Sequence, residues 1–100
     1  MFVEVTREDI QAGKAENSYE CPLALAINRT IGTGEKVRVD GWGQVDLINA
    51  VNERVPAWAT LPGVAIEFMM DFDGGNPDVF PFAFTMETKG EDQGDDEAEV

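Results

Sequence analysis

Polar and apolar residues alternate in two short stretches of the first fifty residues, and between them apolar residues recur at helical spacing. Phe2-Val3-Glu4-Val5 is β-branched and alternating, which predicts a strand with Val3 and Val5 facing a core. Thr6, with Asp9 three residues on, forms a capping-box pattern; a helix of one or two turns is expected over Arg7–Gln11, stopped at Gly13. Pro22 suits a first helical position, and Leu23, Ile27 and Ile31 lie one turn apart, so an amphipathic helix is expected over 22–31, closed by Gly32. Lys36 to Asp40 alternates again, with Val37 and Val39 inward and charges outward.

The second half is less regular. Gly41-Trp42-Gly43 reads as a turn or bulge, in which Trp42 is more readily a core tryptophan than an exposed aromatic anchor for a partner. Residues 44–55 fit either a strand or a helical face. Pro56 and Pro62 favour a strand from Gln44, a turn around Asn49 to Glu53 and an extended return through Val55, Trp58 and Thr60. Pro62–Phe72 predicts a second main helix so apolar that it should be largely buried, with Glu67 and Asp71 as its one wet edge. Asp73-Gly74-Gly75-Asn76-Pro77 ends it, and Phe80, Phe82, Phe84 and Met86 alternate as a last strand. Its aromatic face is expected to meet Phe68 and Phe72.

These elements make an α+β fold, a small single domain over residues 1–90 with an antiparallel sheet of about four or five short strands packed with two main helices. Residues 91–100 form an acidic tail with no apolar residue before Ala98, expected to be disordered in isolation. Truncation after Gly90 is therefore expected to leave the thermal unfolding midpoint nearly unchanged. A large drop would show that the tail packs.

Composition narrows the chemistry. The 100 residues contain no histidine, which excludes mechanisms that need an imidazole base, and one cysteine, which excludes an internal disulfide and a cysteine zinc site. No apolar run approaches the roughly 20 residues that span a bilayer, so a chain free of membrane contact is expected. The net charge is −13: the last ten residues hold six acids and no base, and residues 1–90 carry fourteen acids and all seven bases, a net −7. Such a field opposes direct binding to nucleic acid or to an anionic leaflet and favours basic protein surfaces or cations.

Local motifs add little catalytic chemistry. Asp71 to Asp78 gathers oxygen-bearing side chains as a calcium loop does. An EF-hand starting at Asp71 would need glycine where Asn76 stands and glutamate where Phe82 stands, so a helix end and turn is the simpler expectation. Cys21 near a helix N-terminus has neither a base nor a resolving thiol and is expected to pack as a small hydrophobe. Gly32-Thr33-Gly34-Glu35-Lys36 lacks the spacing of a phosphate loop. No cofactor is expected.

The order of motifs resembles that of small uncharacterised accessory proteins of tailed bacteriophages and prophages: Val3-Glu4-Val5-Thr6, Cys21-Pro22-Leu23-Ala24-Leu25-Ala26, Val39-Asp40-Gly41-Trp42-Gly43 and Phe72-Asp73-Gly74-Gly75 before Pro81-Phe82-Ala83-Phe84. The resemblance implies a phage product acting in the host cytoplasm and carries no catalytic signature. The expected function is a non-enzymatic accessory protein, monomeric or weakly dimeric. It would bind the basic surface of a host protein, as an inhibitor or a mimic of nucleic-acid charge, through Asp40, Trp42, Asp46, Glu67, Asp71, Asp73 and Asp78. The alternative is a small-molecule or metal-binding module using the Asp71–Asp78 turn.

Overall fold

The computed structural model describes residues 1–49 and 51–88. The acidic tail expected to be disordered lies outside the described residues. Six strands and three helices follow the order β1 (Phe2–Val5), α1 (Arg7–Ala12), α2 (Pro22–Ile31), β2 (Lys36–Val39), β3 (Gln44–Ile48), β4 (Arg54–Thr60), α3 (Gly63–Asp73), β5 (Phe82–Thr85) and β6 (Glu87–Thr88). The α+β class is the expected one, but the strands divide between two antiparallel sheets.

The first sheet pairs β1 with β5, Val3 opposite Phe84 and Val5 opposite Phe82. The second has the order β2-β3-β4-β6. The chain passes from one to the other at Met86, whose N–H donates to the Met1 carbonyl at 2.9 Å while the Met1 amino group donates to the Met86 carbonyl at 2.8 Å. One residue thus ends β5, and the next two pair with β4, Glu87 opposite Thr60 and Thr88 opposite Ala59. The sequence pattern led out of the last strand at this point, because a two-residue strand has too few positions to show alternation.

The helix termini form by the expected chemistry. Thr6 and Asp9 make the reciprocal capping box: the Asp9 N–H donates to Thr6 Oγ1 and the Thr6 N–H to Asp9 Oδ2. Asp9 is itself buried, and Arg29 of α2 reaches it with Nη1 at 2.7 Å while Nη2 donates to the Glu4 carbonyl. One guanidinium therefore ties α2 to α1 and β1. Cys21 caps α2, Pro22 opens it, and Gly32 closes it in the left-handed conformation. Asn28 Oδ1 accepts the Val37 N–H, fixing α2 against β2.

The core joins Val3, Val5, Leu23, Ile27, Val37 and Val45, all buried. Phe68 of α3 packs on Phe82 at 4.8 Å between ring centroids and on Phe72 at 6.2 Å, and Phe82 lies 5.7 Å from Phe84, so the expected aromatic cluster forms. Two expectations for this region fail. Phe80 precedes β5 instead of joining its aromatic face, and it is 63% exposed. The helix α3 is not largely buried either. Only Ala65, Phe68 and Met69 are covered, while Val64 and Met70 stay exposed. An eleven-residue helix packed on one side cannot cover residues all round its axis, whatever their hydrophobicity.

Candidate functional site

The seven residues expected to form one acidic surface separate into three environments. Asp46 does not belong to that surface at all. It is fully buried in β3, opposite Arg38, where the register between β3 and β4 breaks. Val45 pairs with Ala59 and Leu47 with Val55, so Asp46 faces the three residues Pro56, Ala57 and Trp58. Ala57 holds a positive φ of 52°, a conformation costly for a residue with a Cβ, and its N–H donates to Asp46 Oδ1 at 2.9 Å. Arg54 Nε donates to Oδ2 at 2.9 Å, Gln44 Nε2 to Oδ1 at 3.1 Å, and Arg38 stands 3.7 Å away. Burial works against the charge of this carboxylate. The bonds from Ala57 and Gln44, with Arg54 beside them, outweigh it and hold Asp46 below the usual carboxylate range. Asp46 closes a bulge and offers nothing to a partner.

Asp40 and Asp73 share a second environment, a cleft of about 260 Å³ that Glu16, Cys21 and Met69 also line. Both carboxylates have structural work there. Asp40 Oδ1 accepts the N–H groups of Trp42 and Gln44 and closes the β2–β3 turn, and Asp73 Oδ1 accepts the Glu16 N–H at 2.8 Å. Cys21 is buried at the cleft floor, where burial pushes its thiol pKa up, the opposite of an activated nucleophile.

The same turn overturns the core placement of Trp42, which is 89% exposed. Gly43, not Trp42, presses on α3. It has φ 93°, and a Cβ there would meet Ile66 Cδ1 at 2.7 Å. The backbone thus takes the buried position beside α3, and Trp42 projects from the turn it precedes.

Glu67, Asp71 and Asp78 make the third environment. They line a shallow groove of about 260 Å³ with Val64, Phe80 and Pro81, between α3 and the approach to β5. These side chains are exposed and enter no hydrogen bond or ion pair among the described residues. Val64 at 53% and Phe80 at 63% exposure supply apolar surface between the carboxylates. On the helix, exposed Met70 falls between the side holding Ile66, packed at the Gly43 turn, and the side holding Glu67 and Asp71, so the two acids separate it from Val64. The i, i+4 pair Glu67 and Asp71 was legible in the sequence. Val64 and Phe80 were not, since apolar residues in a helix and beside a strand read as core.

No protein-family model matches the chain, and no match of significance is found among curated proteins or among solved structures. The likeness to phage accessory proteins therefore rests on motif order alone. No helix among the described residues is long and apolar enough to cross a membrane. The Asp71–Asp78 turn does not converge as a calcium loop would: Asp73 turns to the Glu16 side of α3, while Asp71 and Asp78 face the groove. Among the described residues no group of three carboxylate or thiol side chains is placed to hold a metal ion.

Proposed function

We propose that the protein is a non-enzymatic binding module that engages a basic, partly apolar segment of another protein along the α3 groove. The observation that carries this reading is the groove itself, where three carboxylates with no side-chain partner among the described residues line the same surface as exposed Val64 and Phe80. Carboxylates of this kind steer a lysine- or arginine-rich surface into contact and fix its register, while the apolar floor gives burial. In the phage context suggested by motif order, the partner is a host protein in the host cytoplasm, and occupation of its basic surface would compete with that surface's nucleic-acid ligands.

Reversal of Glu67, Asp71 and Asp78 to lysine tests the reading against reversal of Glu4, Glu8 and Glu20, which lie elsewhere. Affinity capture from host lysate, quantified by mass spectrometry for the dominant partner, should fall at least about tenfold for the first set and stay within about twofold for the second. Capture of the same partner by the parent should weaken steeply with salt. Equal losses from both sets would reduce the acidity to solubility.

A further inference from the structure

The β1–β5 sheet has two strands, and its hydrogen bonds define which edge of β5 is unused. Met1 and Met86 exchange both backbone bonds, so the pairs that bond in the same way along the ladder are Val3 with Phe84 and Val5 with Phe82. The residues between them, Phe2 and Glu4 on β1 and Ala83 and Thr85 on β5, turn their N–H and C=O groups away from the partner strand. On the β1 side α2 meets this outer edge, where Arg29 Nη2 donates to the Glu4 carbonyl at 2.7 Å. On the β5 side nothing among the described residues bonds to the backbone of Ala83 or Thr85, and both residues are exposed.

The strand placed to close this edge is β4, and it stops short. Glu87, two residues on from Thr85, pairs with Thr60, so the antiparallel register sets Pro62 opposite Thr85. Pro62 has no N–H, and its carbonyl already accepts the Ala65 and Ile66 N–H groups at the start of α3. The chain turns into the helix instead of extending the ladder, and Pro62 and Thr85 line an opening of about 610 Å³. At the other end of β5, Phe82 and Val64 line the α3 groove, so the unpaired edge runs from that opening to the groove holding Glu67, Asp71 and Asp78. Pro81 lacks an N–H, and the edge donors therefore begin at Ala83.

We propose that the basic, partly apolar segment taken up by the α3 groove binds as an added β-strand, its backbone bonded to Ala83 and Thr85. The inference rests on the proposed function and names the partner's conformation. An exposed strand edge recruits extended chain through main-chain bonds, and the side chains beside it select the sequence. Charge makes that selection here. Glu67, Asp71 and Asp78 stand at the groove end of the edge and Glu87 at the other, none of them in an ion pair among the described residues, whereas Arg7 lies with Glu4 on the β1 flank. A second copy pairing β5 with β5 would bring the same acids together in a chain of net charge −13. The occupant is therefore cationic and extended, with lysine or arginine alternating with apolar residues across the strand pleat.

The test is amide exchange with solvent in the full-length protein, followed by NMR at low ionic strength, alone and with a soluble peptide of alternating lysine and valine. Alone, Ala83 and Thr85 should exchange fast while Phe82 and Phe84, bonded to β1, exchange slowly. Saturating peptide should slow Ala83 and Thr85 at least about tenfold and shift the signals of Glu67, Asp71 and Asp78. Ala83→Pro removes an edge donor and no bond to β1, so it should weaken the peptide at least about tenfold, with slow exchange at Val3 and Val5 showing that the sheet persists. If that variant unfolds, the exchange of the parent's edge amides decides alone. Groove shifts without slowing at Ala83 and Thr85 would overturn the added strand and leave the proposed function standing. Absence of groove shifts would overturn both. Edge amides already slow in the free protein, or slowed only as its own concentration rises, would give the edge to this chain or to a second copy and overturn the proposal.

Discussion

Phe68→Ala should lower stability by about 3–5 kcal/mol, enough to unfold much of the population of a domain this small. Phe68 is the ring through which α3 meets the β1–β5 sheet. It is 8% exposed, packs on Phe82 at 4.8 Å and on Phe72 at 6.2 Å, and Phe82 passes the contact on to Phe84. Truncation removes its share of that burial and leaves a cavity between a helix and a two-stranded sheet with few other contacts to close it. Denaturant unfolding followed by circular dichroism measures the loss. Val64→Ala on the same helix, at an exposed position, should change the midpoint little. If Phe68→Ala unfolds with the parent, α3 is not held by its aromatic face, and both the groove and its acids would have to be placed anew.

The second large effect is expected at Asp46. Replacement by alanine strips the Ala57 N–H and Gln44 of their acceptor and removes the charge that Arg54 and Arg38 face. A buried donor left unsatisfied costs about 1–3 kcal/mol, and the positive φ of Ala57 then persists without its compensating bond. Because both arginines remain partly in water, they can rehydrate, so the total should be about 3 kcal/mol and not the larger cost of a stranded buried charge. Asp46→Asn keeps the shape and one acceptor and should lose less. The pH dependence has a definite sign. Asp46 and Asp9 both have folded-state pKa values held below the unfolded carboxyl range of about 4, so the stability they contribute is complete above that range. It is lost as pH falls through their folded values. The gap between parent and Asp46→Asn should therefore narrow on acidification below about pH 4. An Asp46→Ala variant with the parent's midpoint, or a gap that widens in acid, would remove Asp46 from the bulge.

Local chemistry was legible along most of the chain. The Thr6–Asp9 capping box, Pro22 and Gly32 around α2, the alternation of β2 and the aromatic contact of Phe68 with Phe82 all depend on neighbours within a few residues or on a burial pattern that repeats. Residue type and spacing suffice for those. Net charge was legible too, but not its placement. Asp40, Asp46, Asp73 and Asp78 look alike in sequence. The fold turns the first into a turn acceptor, the second into the seal of a β-bulge, the third into a tie to the Glu16 backbone, and only the fourth into a free carboxylate in the groove. Trp42 and Phe80 met the opposite fate, apolar by composition and exposed in the fold. The reason is common to all of them. Which side of a strand or helix is covered depends on register and on what packs against it, here a bulge opposite Asp46 and a glycine backbone against Ile66, and those pairings join residues far apart in the chain. The sequence alone determined the helices, most of the strands and how acidic the molecule is; the tertiary pairing settled residues 44–48 as strand, added β6 and decided which acids meet solvent, because both depend on partners far along the chain.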